Sequence, residues 1–168
     1  MNLIYRFIAS AILLVSGAGS AVAETTEEQN LRLIQSYYAA YATGNPEAIR
    51  PFLAPDVVWR IPGHHPLAGD KKGPDEVIAF FTQLATGRFR AEPIFFQAQG
   101  DLVVDIHRGW SNIGEEPELD QLYALMFRVR DGKIVETQNF LTDMYASDSF
   151  FWQHFPLRPL PDRLADRN

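Results

Sequence analysis

Cysteine is absent from all 168 residues, which excludes a metal–thiolate centre, a thiol nucleophile, dithiol redox chemistry and disulfide support. Basic charge is in deficit: 15 Lys and Arg stand against 21 Asp and Glu, for a formal charge of −6. That balance leaves no footprint for a phosphate backbone, so nucleic acid is not an expected partner. HxH and HExxH spacings are missing among the four histidines, two of which are adjacent, and no metal site is expected. No internal repeat or low-complexity linker interrupts the chain, and 46% of it is hydrophobic. A single folded domain fits that composition.

One long apolar stretch is present, from Phe7 to Val15 with Ser10 as its single polar residue, preceded by Arg6 and followed by small residues up to Ala21-Val22-Ala23 and then Glu24. This is the pattern of an export signal, with cleavage expected after residue 23. The run is shorter than the ~20 residues of a spanning helix. The expectation is therefore a periplasmic or secreted protein with no stable membrane span after processing. It divides into a signal peptide (1–23), one domain (24–152) and a Pro-rich tail (153–168).

Within the domain, Thr25 and Glu28 form a capping-box pattern, and the helix it opens places Leu31, Ile34, Tyr37, Tyr38 and Tyr41 on one arc, with Gly44 as its stop. Asn45-Pro46-Glu47 predicts a short second helix through about Leu53. Alternation at Val57, Trp59 and Ile61 predicts a strand ended by Pro62-Gly63. A loop through His64 and His65 leads to a helix beginning at Pro74. From Phe89 onward the period changes to 2, predicting antiparallel strands over 89–99, 102–112, 119–130 and 133–142, with Asp131-Gly132 as the hairpin turn. A short helix over 144–152 follows. The fold class is α+β: a cone-shaped, curved antiparallel sheet wrapped by the N-terminal helices.

The Asp131-Gly132 turn pairs 130 with 133, and carried along the ladder it places 127 opposite 136 and 123 opposite 140. Centring the preceding loop pairs 106 with 125. This register predicts an inner face of Val104, Ile106, Trp110, Tyr123, Leu125, Phe127, Gln138 and Phe140. Val103, Asp105, His107, Arg128, Thr137 and Asn139 fall on the outer face. Asp105 and His107 have the i, i+2 spacing of a carboxylate–imidazole dyad, and the register turns both toward solvent or a subunit contact.

A set of motifs then stands out: Tyr37-Tyr38-Ala39-Ala40-Tyr41 with Gly44-Asn45, Asp56-Val57-Val58-Trp59 with Ile61-Pro62-Gly63, Phe127-Arg128-Val129-Arg130-Asp131-Gly132, and Asp143 with Tyr145, Asp148 and Phe150. Together they resemble the SnoaL-like polyketide cyclases and ketosteroid-isomerase-related proteins of the nuclear-transport-factor-2-like superfamily, over about residues 28–152. The resemblance implies the cystatin-like cone, a homodimer, and a conical pocket for a small apolar or polyketide- or steroid-like molecule. It implies no cofactor. The tyrosine that hydrogen-bonds the dienolate oxygen in ketosteroid isomerases is matched by Tyr37. Their base aspartate falls at Ile61 and their second oxyanion donor at Leu125, so one of the three isomerase groups is kept.

The expected ligand-binding wall is Tyr37, Tyr41, Trp59, Ile61, Ile106, Trp110, Tyr123, Leu125, Phe127, Gln138 and Phe140. Candidate catalytic residues are Tyr37 as hydrogen-bond donor and Glu136 or Asp143 as base, Glu136 because an apolar cone would raise its pKa. Its alternative is a strand-end acid in water, and that of Asp143 is a helix cap. His64 and His65 are read as a lid. The function expected is binding of a small apolar molecule, with cofactor-free isomerase- or cyclase-type acid–base chemistry. The alternatives are a non-catalytic binding or dimerisation module, with Asp105, His107 and Arg128 at the interface, and an epoxide-hydrolase-like enzyme, whose Asp–Arg–Asp relay would have to draw on Arg108.

Overall fold

The computed structural model describes residues 23–111 and 118–155. Residues 1–22, where the export signal is expected, and residues 156–168 of the expected tail lie outside the described residues. No described helix is long and apolar enough to cross a membrane.

Helix α1 (Thr26–Tyr41) opens with the capping box: the Thr25 hydroxyl accepts from the Glu28 N–H at 3.2 Å and the Glu28 carboxylate accepts from the Thr25 N–H at 2.9 Å. Asn45 caps the next segment, Pro46–Phe52, which is a 3-10 helix rather than an α-helix. Pro51, inside the segment, lacks the N–H that an α-helical ladder would use, whereas Pro46 at its first position gives up no such bond. Strand β1 (Leu53–Ile61) follows, then β2 (Gly69–Lys72), α2 (Gly73–Thr86), β3 (Phe89–Gln99), β4 (Leu102–Ser111), β5 (Leu119–Arg130), β6 (Lys133–Leu141) and α3 (Met144–His154). Strand β2 lies in the stretch read from sequence as loop, and its polar Gly-Asp-Lys-Lys sequence has no apolar alternation to mark it.

The six strands form one sheet in the order β2-β1-β6-β5-β4-β3. All neighbours are antiparallel except β1 and β6, which run parallel. The sheet curls around α1 and α2. Ile34, Tyr37, Trp59, Val77, Phe81, Phe127 and Ile134 are buried together in the core between them, where edge-to-face ring pairs such as Trp59–Phe81 (5.2 Å) and Tyr37–Phe127 (5.7 Å) set the spacing. Helix α3 closes the end of the core nearest β5, with Phe150 and Phe151 buried.

Register is where the sheet departs from expectation. The turn pairs Arg130 with Lys133 and Val129 with Ile134, as the hairpin signal requires, and Asp131 and Gly132 both take positive φ (52° and 67°). Arg128 then pairs with Glu136, so Val135 is an extra residue on β6. Beyond this bulge Phe127 faces Thr137, Leu125 faces Asn139 and Tyr123 faces Leu141. On the other side of β5, Asp105 pairs with Leu125 and Val103 with Phe127, one residue from the expected ladder. Two separate one-residue slips therefore invert β4 and β6 while leaving β5 as read.

The corrected inner face carries Val103, Asp105, His107, Gly109 and Ser111 on β4, Tyr123, Leu125, Phe127 and Val129 on β5, and Ile134, Thr137 and Asn139 on β6. Val104, Ile106, Trp110, Gln138 and Phe140 face outward instead of into the cone. Arg128 is outward, as expected. Gly109 shows why β4 cannot be turned the other way: a Cβ there would meet the Tyr123 ring at 2.4 Å and the Phe89 ring at 2.6 Å.

Candidate functional site

A cavity of about 60 Å³ lies between α1, α2, α3 and the inner sheet face, and its walls include Tyr37, Tyr41, Trp59, Ile61, His65, Phe81, His107, Tyr123, Leu125, Asn139 and Phe151. Space for a water takes ~10–15 Å³ on this measure, so the cavity holds a few waters or one compact apolar group. Of the expected wall, Tyr37, Tyr41, Trp59, Ile61, Tyr123 and Leu125 border it. Phe127 is fully buried in the core beside it. Ile106, Trp110, Gln138 and Phe140 do not reach it, because the register places them on the opposite face.

The polar end of the cavity is built from residues that the sequence register had turned away. Asp105 is fully buried and accepts hydrogen bonds from the Tyr38 hydroxyl and, at 3.2 Å, from the Leu125 N–H. His107 Nδ1 lies 3.0 Å from Asp105 Oδ1 and 3.3 Å from the Tyr38 oxygen. Since a carboxylate can only accept, the imidazole proton is assigned to Nδ1. Nε2 then carries the lone pair, and it has no hydrogen-bond partner among the described residues. The ring is fixed by stacking on Tyr123, at 5.2 Å between centroids and 6° between planes. The arrangement is a carboxylate-oriented imidazole at the edge of an apolar cavity, with its basic nitrogen left over for a ligand.

Three further polar residues, Tyr37, Tyr41 and Asn139, line the space. Burial, reinforced by the neighbouring Tyr41 and Asp105, pushes the Tyr37 hydroxyl well above the ordinary tyrosine range, so it remains a neutral donor. Burial likewise raises Tyr41, to about 12. Asn139 borders the cavity with a buried Oδ1 that meets no partner among the described residues. An orphan of this kind is rare in folded proteins and needs an explanation. A bound ligand or water would supply one.

The two candidate bases named from sequence are placed elsewhere. Glu136 lies on the outer face between Arg128 (3.2 Å) and Arg60, and these guanidiniums hold its carboxyl below the usual range rather than raising it. Parity is the reason, since the Val135 bulge turns Glu136 out. Asp143 is the N-cap of α3, accepting from the Ala146 N–H at 2.9 Å, which is its alternative reading. Arg108 is also outward, in a two-pronged pair with Asp120 at 2.6–2.7 Å, so it supplies no relay inside the cone.

His65 is buried against Phe151, with ring centroids 4.4 Å apart, and its Nδ1 accepts from the Leu67 N–H at 3.2 Å. Burial lowers its pKa. Its neighbour His64 is exposed, and the His64 backbone N–H is held by Asp148 of α3 at 2.9 Å. The loop thus covers the cavity as a pinned wall. No cluster of potential metal ligands occurs among the described residues.

Sequence reasoning did not select Tyr38, Asn139 or Ser147, which also borders the cavity, as site residues, while His65 was read only as part of a lid. Tyr38 was already on the inner arc of α1, and its hydroxyl would have had to find a partner on burial. Asp105 is that partner.

An α+β cone with one apolar cavity entered by a few polar groups defines the nuclear-transport-factor-2-like, or cystatin-like, fold. Comparison with known proteins sharpens this: the family profile described as "SnoaL-like domain" matches residues 34–137, and the chain belongs to that family. An uncharacterized protein of Mycobacterium tuberculosis strain H37Rv is 30% identical over 131 residues, covering 75% of this chain and 98% of its own length. Among solved structures, Bal32a from a soil-derived mobile gene cassette is 26% identical with a TM-score of 0.69, over 74% of this chain and 98% of that one. A Xanthomonas campestris protein with a cystatin-like fold is 27% identical with a TM-score of 0.64, over 73% and 97%. TerC, crystallised with polyporic acid, is 25% identical with a TM-score of 0.65, over 73% and 98%.

Proposed function

We propose that this SnoaL-like domain binds a small, mostly apolar molecule bearing a carbonyl or hydroxyl oxygen and performs cofactor-free acid–base chemistry on it. The observation that carries the reading is the Asp105–His107 pair beside the cavity, with Nδ1 engaged and Nε2 unpartnered among the described residues. His107 would remove a proton next to the substrate carbonyl, and Asp105 would stabilise the imidazolium that forms. Tyr37 would donate a hydrogen bond to the oxygen on which charge develops, and the Asn139 Oδ1 would accept from a hydroxyl of the ligand or from a water. The base is thus a histidine on β4, and the carboxylate positions it. TerC's co-crystallisation with polyporic acid supports a small-molecule ligand.

The test is deuterium uptake by a compact enolisable ketone, 2-butanone, in D2O, followed by proton NMR. Protein-dependent uptake should fall ~100-fold or more in His107→Gln, in line with the usual contribution of a general base, and Tyr37→Phe should lower it less. Uptake equal in His107→Gln and the parent would sink the proposal.

A second reading, a non-catalytic binding module, draws on the same network. Asp105 already has three partners, as a satisfied structural group would. Binding without deuterium uptake selects it. We further propose export directed by residues 1–23, and a homodimer. Asp105 and His107 are buried and cannot serve a subunit contact. The outer row of Phe95, Val104, Ile106, Leu122 and Phe140, each 38–54% exposed, gives a second copy an apolar surface to cover.

A further inference from the structure

Of the eight arginines among the described residues, six are paired with a carboxylate: Arg32, Arg50, Arg60, Arg108, Arg128 and Arg130. Arg88 and Arg90 have no such partner among the described residues, and the two occur together. Both line a groove of about 520 Å³ formed by the turn after α1, the end of α2 and the start of β3, with Trp110 also in its wall. The groove shares Tyr41, Phe81, Phe89 and Ala91 with the cavity described above, so the two adjoin across these side chains.

Arg88 is unusual in its backbone as well. It follows Gly87 at the end of α2 with φ of 50°, a left-handed conformation in which glycine or asparagine is at ease and a long side chain is strained. Strain of this kind concentrates at binding sites, where another requirement fixes the residue. A strained arginine, a second arginine and an indole thus make a local cationic patch on a chain whose net charge is −6.

We infer that the ligand is an amphipathic anion. Its apolar body lies in the groove against Tyr41, Phe81 and Phe89, and its carboxylate, sulfonate or phosphate-type head sits on Arg88 and Arg90. Guanidinium forks match the planar or tetrahedral oxygen arrays of such heads, and Trp110, over whose ring the Arg108 guanidinium lies at 4.8 Å, stands beside them. The inference rests on the small-molecule reading of the cavity, and it is independent of whether His107 catalyses a reaction.

Two fluorescent probes with the same ring body separate the possibilities: 8-anilinonaphthalene-1-sulfonate, and N-phenyl-1-naphthylamine, which lacks the sulfonate. Titrated into the protein after signal removal, the sulfonate should bind about 10-fold more tightly at low salt, and salt should erode that advantage. Arg90→Gln and Arg88→Gly should each weaken the sulfonate several-fold and leave the neutral probe unchanged. Arg88→Gly relaxes the left-handed residue, so a melting temperature at or above the parent's shows that any lost affinity is not lost folding. Equal binding of the two probes, or equal weakening of both in the variants, overturns the inference while the cavity reading stands. Failure of both probes to bind overturns both.

Discussion

Asp105 and Glu136 are carboxylates on strands flanking β5, and their surroundings are opposite. Asp105 points into the cone, is fully buried, and is satisfied by a tyrosine hydroxyl, a backbone N–H and an imidazole. Glu136 points out, is about one-third exposed, and sits between two guanidiniums that are also partly solvated. The inner acid has no arginine or lysine among its partners, so its charge is supported by dipoles. The outer one has cations that water screens. A carboxylate positioned by dipoles beside an apolar space can orient a base, whereas one locked between arginines is spent on holding strands together.

That contrast can be broken most directly at Asp105. Asp105→Ala strips three buried groups of their common partner and should cost about 3–5 kcal/mol, in the range seen when one member of a buried polar pair is removed. Urea unfolding measures it. A loss below about 1 kcal/mol would mean that water enters the cone and the faces differ little.

A smaller effect is expected from His65, the other buried histidine of the cavity wall. Its folded pKa lies below its unfolded value of about 6.5. The stabilisation is therefore fully present above that pH and is lost as pH falls through the depressed value, because the protonated ring can no longer accept from Leu67. Melting temperatures taken from pH 8 to 5 should decline on the acid side, and His65→Gln should flatten the decline. An unchanged slope in the variant would assign the acid sensitivity elsewhere.

The smallest effect belongs to the outer face. Glu136→Gln should cost under about 1 kcal/mol, and the difference should fade in high salt. A cost matching that of Asp105→Ala would erase the distinction between the faces.

The architecture was largely legible in the sequence. The Thr25–Glu28 box, the Asn45 cap and the Asp131-Gly132 turn are local chemistry, and each element they mark begins or ends where they say. Strands β3 and β5 run over the residues their alternation indicates. The site was harder, for a physical reason. On β4 the outward row of Leu102, Val104, Ile106, Arg108 and Trp110 has four apolar residues in five, whereas the inward row of Val103, Asp105, His107, Gly109 and Ser111 has one large apolar side chain, so hydrophobicity favours the wrong face. On β6 a bulge leaves no compositional mark, since Val135 is an ordinary strand residue. What could have been weighed is that Asp105, His107 and Tyr38 satisfy one another if buried together, while the apolar outer row implies a covered surface.

The bulge at Val135 sets the phase of everything after it on β6. It behaves like a half-period delay inserted into an alternating signal: before it, the hairpin obeys its turn, and after it every in-and-out assignment is exchanged. One amino acid of length therefore decides whether Asn139 or Gln138 borders the cavity, and whether Glu136 braces arginines or enters the cone. Among chains sharing this sheet, gain or loss of a single residue between the turn and position 136 would exchange wall for skin without altering any side chain, which makes strand length a means of changing specificity.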